Sequence, residues 1–116
     1  MSQHDDMLRL RHMLDNAREA VSMISGKTSQ DLHGNRMLEL ALVRLVEVLG
    51  EAASRVSDDC QLKYPSIPWQ QVIGMRNRLI HGYNKVDLNV LWDTVDDDLP
   101  HLIEELEKIL SSETTL

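Results

Sequence analysis

Leu38-Glu39-Leu40-Ala41-Leu42-Val43-Arg44-Leu45-Val46-Glu47-Val48-Leu49-Gly50-Glu51-Ala52-Ala53-Ser54-Arg55-Val56 is the stretch on which the fold turns. Leu38, Leu42, Leu45, Val46, Leu49, Ala52, Ala53 and Val56 return at three- and four-residue steps, which on a helix gathers them into one broad apolar face. A face that wide needs neighbours on more than one side, so the spacing predicts a helix from Gln30 to Val56 enclosed by others. Gly50 costs about 1 kcal/mol relative to alanine in an exposed helix interior, and its presence calls for a close approach by another element. Glu51 beside it could hold an arginine at such a crossing, but it reads as a solvated helix glutamate and is assigned no catalysis.

Working outward, Leu10, Leu14, Ala17, Val21 and Ile24 make a narrower stripe on a first helix, His4 to Ser25. Gly26 to Ser29 breaks it, with Thr28 or Ser29 as the cap of the long helix. Ser57 to Pro68 carries Asp58-Asp59, Pro65 and Pro68 and reads as the main irregular connection. A third helix follows from Pro68 to His81, capped by Ser66, with Val72, Ile73, Met75, Leu79 and Ile80 facing inward. After a turn at Gly82 to Val86, Asp87 opens a fourth helix bearing Leu88, Val90, Leu91, Trp92 and Val95. Pro100 interrupts the pattern, so Leu99 to Leu110 is a fifth helix or a kinked continuation, and Ser111 to Leu116 should fray. With no repeat and no strand alternation, the expectation is an all-α, antiparallel four- to five-helix bundle in which residues 1–116 form one domain.

The bulk properties agree. Hydrophobic residues make up 42% of 116, enough for a core, and the four aromatics Tyr64, Trp69, Tyr83 and Trp92 are outnumbered by helix-favouring aliphatics. Trp69 and Trp92 have apolar helical neighbours and read as core aromatics rather than base-stacking platforms. The lone Cys60 has no disulfide partner within the chain, which fits a reducing, cytoplasmic setting. No apolar run reaches the roughly 20 residues that span a bilayer, so no membrane association is expected.

Chemistry concentrates at Arg76-Asn77-Arg78-Leu79-Ile80-His81-Gly82-Tyr83. A guanidinium can grip a phosphate through two parallel hydrogen bonds, and an imidazole exchanges protons near neutral pH. Gly82 supplies a left-handed stop for the third helix, which would set His81 against the last carbonyls of that helix. The chain carries −7 overall, which argues against broad capture of nucleic acid. From Cys60 to Val86, however, there is no acidic residue, while Lys63, Arg76, Arg78 and Lys85 make the segment positive. A localised phosphate contact fits that patch, and so does an acidic partner surface.

Spacing alone is weak: with this many arginines and histidines, an Arg followed five positions later by a His arises by chance in about one such chain in three. On an ideal helix the two side chains also stand roughly 140° apart, so a single third helix cannot aim both at one phosphate. A distorted last turn, or a two-fold dimer in which two copies line one cleft, would resolve this. Arg76 as an ion-pair residue and His81 as a helix C-cap donor stand as the plain structural alternative. His4, His12, His33, His81 and His101 are scattered, so no metal site is expected, and no Gly-rich loop suggests a bound nucleotide cofactor. Tyr83, directly after the glycine turn, should keep its hydroxyl near solvent.

These residues resemble the HEPN nucleases, and within them the HepT toxins encoded beside a minimal nucleotidyltransferase antitoxin of the MntA kind. The similarity runs through Leu49-Gly50-Glu51-Ala52, Ile67-Pro68-Trp69, the whole Arg76 to Tyr83 motif, Val86-Asp87, Leu91-Trp92 and Asp98-Leu99-Pro100. The Arg-x4-His-x-Tyr pattern of that family falls on Arg76, His81 and Tyr83, with Asn77 in its polar position after the arginine. The resemblance implies a HEPN-like helical domain in a two-fold homodimer and metal-independent cleavage of RNA, possible targets being tRNA or mRNA. Arg76, Asn77 and His81 would be catalytic and no cofactor is needed. It further implies a type VII-like toxin-antitoxin pair in which a partner nucleotidyltransferase transfers AMP to Tyr83 and silences the toxin. The competing expectation is a non-catalytic helical module that docks such a nucleotidyltransferase, with Arg76 and His81 binding rather than cleaving.

Overall fold

The computed structural model describes residues 3–83 and 85–114. Helix α1 (Gln3–Met23) and helix α3 (Arg36–Ser54) are the two long elements of the first half, and α3 buries Leu38, Leu42, Val46, Leu49, Ala52 and Ala53. Helix α1 packs on α3 and on the C-terminal helix α8 (Leu99–Thr114), contributing Leu10, Met13, Leu14, Ala17 and Ala20 to the core. The all-α expectation holds, apart from one two-stranded hairpin. Among the described residues no helix is long and apolar enough to cross a membrane.

The long second helix of the sequence reading is two. A short α2 (Ser29–His33) opens at Thr28, whose backbone amide donates to Asp31 at 2.8 Å, and ends at Gly34. Asn35 then caps α3, its side-chain oxygen accepting from the Leu38 amide at 3.0 Å. Asparagine gives the backbone an alternative to continued helix, and Gly34 beside it removes the resistance to a break.

The connection read as irregular contains a helix, α4 (Asp58–Lys63). Ser57 accepts from the Cys60 amide at 3.2 Å, and Asp58 and Asp59 sit in the positive first turn. The same Ser-Asp-Asp run that ends one helix therefore starts another.

The third helix differs most. Gly74 divides it into α5 (Trp69–Ile73) and α6 (Met75–Leu79), and no side chain caps α5, so Ser66 does not play the role expected of it. Gly50 is the reason for this geometry: a Cβ there would lie 3.3 Å from the carbonyl oxygens of both Val72 and Ile73. The end of α5 thus lies directly on α3 where α3 has no side chain, and α6 leaves from that contact.

Residues Ile80–His81 form strand β1, paired antiparallel with β2 (Lys85–Val86) in the register Ile80 to Val86 and His81 to Lys85. Helix α7 (Leu88–Asp93) then runs through a π-helical turn at Thr94–Asp98 into α8. The wide turn lets the Leu99 amide reach Thr94, five residues back, which gives Pro100 a place in the first turn of α8 where its missing amide costs nothing. The kinked continuation is the form adopted. Helix α8 extends to Thr114 rather than fraying after Leu110, because Glu113 is held by the Tyr64 hydroxyl and by Lys63 Nζ at 3.4 Å. Residues 115–116 of that expected tail lie outside the described residues.

Candidate functional site

Helix α6 is a single turn anchored by Met75 and Leu79, four residues apart and both buried, which leaves Arg76, Asn77 and Arg78 exposed. Arg76 turns toward α3: its Nε lies 2.9 Å from Glu47 Oε2, and Glu47 Oε1 accepts from Arg44 Nη1 at 2.8 Å. The hydrogen bond from Arg44, with the added charge of Arg76 and against some burial, holds the Glu47 carboxyl below the usual carboxylate range. Arg76 remains 48% exposed. With Nε taken by glutamate, its terminal nitrogens are directed at no other carboxylate among the described residues.

The position of His81 corrects the sequence reading. It is not the last residue of a helix against exposed carbonyls, because α6 ends at Leu79 and Ile80 is already extended, with φ −97 and ψ 122. The 140° separation on one helix therefore does not describe the pair. Gly82 does adopt the left-handed conformation, at φ +69, but it turns a hairpin rather than capping a helix. His81 Nε2 stands 3.3 Å from Asp87 Oδ2 and the ring is 62% exposed. The other oxygen of Asp87 accepts from the backbone amides of Asn89 and Val90, each at 3.1 Å, which is the expected cap of α7.

Cross-strand partners in an antiparallel pair share one face, so Lys85 stands on the same side of the hairpin as His81. Arg78 and Lys85 form no ion pair among the described residues, and the segment from Cys60 to Val86 is free of acids. Tyr83 is fully exposed in the turn. Asn77 is exposed, and no hydrogen bond joins its side chain to Arg76 or His81 among the described residues. The structure thus gathers the motif on α6 and the adjoining hairpin and gives Arg76 and His81 a carboxylate each, without linking them directly.

The sequence reading missed both carboxylates. Glu47 lies one turn before the Glu51 considered for such a role, and Glu51 is exposed as expected. Asp87 was legible as a helix cap, but its contact with His81 depends on the hairpin. Trp69 is buried, its Nε1 donating to the Tyr64 carbonyl at 3.0 Å, and Trp92 packs at the edge of the core. Among the described residues no group of three or more His, Cys, Asp or Glu side chains is arranged to hold a metal ion.

Residues 13–109 match the family model described as ribonuclease HepT-like. The chain is 32% identical over 107 residues to the "Putative RNase" of Methanocaldococcus jannaschii, an alignment covering 92% of this chain and 98% of that protein. It is 35% identical over 100 residues to the "Probable ribonuclease HepT" of Thermococcus cleftensis, covering 83% of this chain and 91% of the relative. A "Putative RNase" of Caldanaerobacter subterraneus subsp. tengcongensis is 30% identical over 104 residues, covering 90% and 93% respectively. No solved structure matches.

Proposed function

The chain belongs to the ribonuclease HepT-like family, and from that premise we propose that it is the toxin of a type VII-like toxin-antitoxin pair, a metal-independent endoribonuclease using Arg76, Asn77 and His81. The observation that carries this reading is the placement of a half-exposed guanidinium and an exposed imidazole on consecutive elements of an acid-free segment, each steadied by a carboxylate from outside that segment. In the reaction a ribose 2′-oxygen forms a bond to the neighbouring phosphorus while His81 takes its proton. The P–O5′ bond breaks, the departing oxygen takes a proton from solvent, to which His81 later returns its own, and Arg76 stabilises the charge on the pentacovalent phosphate. Asn77, next to Arg76 on the exposed face of α6, contacts the substrate or its partner groups.

The active form in this reading is a two-fold homodimer. Its support is a surface on α3: Met37 is 82% and Leu40 52% exposed, and they share one side of that helix with Arg44 and Glu47, the residues that lead to Arg76. Covering such residues with a second copy would remove apolar area from water and bring two sets of Arg76 and His81 to one cleft.

The test is incubation of the purified protein with tRNA in EDTA. Wild type should cleave, and His81→Ala and Arg76→Ala should each lose at least about 100-fold in rate, the scale of a removed general acid or base. No cleavage by wild type under any loading would favour a docking module for a nucleotidyltransferase instead.

Regulation falls to Tyr83. An MntA-like nucleotidyltransferase would join the tyrosine oxygen to the α-phosphorus of ATP, releasing pyrophosphate and the phenolic proton. The fully exposed ring gives such an enzyme access, and an added anion in the turn two residues after His81 would occupy the phosphate site of His81 and Arg76 and oppose entry of RNA. Tyr83→Phe should cleave RNA within about twofold of wild type and gain no AMP by mass spectrometry; an adduct persisting on that peptide would contradict the assignment.

A further inference from the structure

Among the described residues His81 is met by one carboxylate, and that carboxylate is tightly constrained. Asp87 Oδ1 accepts from the Asn89 and Val90 amides at 3.1 Å each, and the Asp87 backbone amide donates to the Leu79 carbonyl at 2.8 Å. The residue therefore ties the end of α6, strand β2 and the start of α7 together, and Leu91, fully buried one turn on, anchors α7 in the core. Its free oxygen is left 3.3 Å from His81 Nε2. Capping thereby fixes where the negative charge stands before any substrate arrives.

The remaining charged and titratable groups on the elements around the ring are Arg76 and Arg78 on α6, with Glu47 of α3 paired to Arg76, Tyr83 in the turn, Lys85 opposite His81 on β2, and Asp93 at the far end of α7. Asp87 is the carboxylate in contact with the ring.

We infer that Asp87 is a positioning residue for His81, holding the imidazole toward the open face of the hairpin and stabilising the ring when it carries an extra proton. The catalytic part of this inference rests on the ribonuclease reading above. When the 2′-hydroxyl proton passes to His81, the ring becomes a cation, and the interaction with Asp87 is stronger in that state than with the neutral ring. An interaction that strengthens as the reaction proceeds raises kcat rather than lowering KM.

Asp87→Asn and Asp87→Ser test this, because both retain an oxygen able to cap α7 and neither retains the charge. Their melting temperatures should stay close to wild type. Diethyl pyrocarbonate modifies the neutral imidazole, so the rate of modification at pH 6.5, read on the His81 peptide by mass spectrometry, should rise by up to about threefold in both variants, the range expected for loss of an exposed ion pair. Cleavage of tRNA should fall about two- to fivefold in kcat with KM unchanged. Equal modification rates in wild type and both variants would overturn the inference whatever the RNA assay gives, and so would wild-type kcat in both. A wild-type protein that fails to cleave while its modification rate still responds to Asp87 would fault the ribonuclease reading and support the pairing.

Discussion

Two polar clusters sit on this bundle and use their hydrogen bonds in opposite ways. Around α4, Asp6 is only 5% exposed, and its two oxygens accept from the Ser57 amide at 2.9 Å and the Ser57 hydroxyl at 2.6 Å, while Tyr64 and Lys63 both engage Glu113 at the end of α8. Around the hairpin, Arg76 and His81 each meet a single carboxylate among the described residues and remain about half open to solvent or more. In the first cluster Asp6, Ser57, Tyr64 and Glu113 satisfy one another and join three helices, while Lys63 keeps most of its side chain in solvent. In the second, each functional group keeps donors or acceptors unspent. Polar valence closed within the fold serves stability, whereas valence left open at fixed positions is what a substrate can use.

Exchanging the roles of the two clusters is the sharpest way to break this contrast. His81→Ala should abolish RNA cleavage and leave the melting temperature nearly unchanged, since an exposed side chain with one ion pair contributes little to folding. Asp6→Ala should do the reverse. Removing the carboxylate strips the Ser57 amide of its acceptor in a half-buried setting, a loss of about 1–3 kcal/mol. For a chain of this size that is a fall of several degrees in melting temperature, with kcat retained when assayed well below the transition. A large loss of kcat in Asp6→Ala at a temperature where it is fully folded would mean that the two regions are not separable in this way.

The same contrast explains what was legible beforehand. The long apolar stripes of α1, α3 and α8 announced the all-α core because side-chain period survives whatever packs on it. Gly50 announced a close crossing, and the carbonyls of Val72 and Ile73 supply it. The motif itself could be read, but its geometry could not. Ile80 is apolar and continues the spacing of the preceding helix, so nothing local marks the change to extended backbone there; the change comes from pairing with Val86, a partner six residues away. Breaks at Gly34-Asn35 and at Gly74, and the helix begun by Ser57-Asp58-Asp59, did carry local signals. They were outweighed by the apolar pattern running across them or by the prolines that follow. Glu47 and Asp87 became visible as site residues only when α3 and α7 were brought beside α6 and the hairpin.

A gentler probe of the same contrast uses acid. The Glu113 carboxyl is held below its ordinary value of 4.5, first by the Tyr64 hydroxyl and then by Lys63. Burial, followed by that same hydrogen bond, pushes the Tyr64 hydroxyl up, so the phenol remains a donor throughout the neutral range. A carboxyl with a depressed folded value contributes stability that is present above its unfolded value and is lost as pH falls through the folded one. Wild type should therefore melt above Glu113→Gln at pH 7, with the gap closing as the pH is lowered below 4.5. The effect should be small, because the pair is partly solvated and salt will screen it. Glu47 is depressed by the same kind of contact, but both of its partners are exposed guanidiniums, whereas Glu113 also accepts from the half-buried Tyr64 hydroxyl, so Glu47→Gln should shift the melting temperature less than Glu113→Gln does. If the two substitutions prove equal at pH 7, the hairpin end is braced as firmly as the α4 end, and the open valence around Arg76 is structural after all.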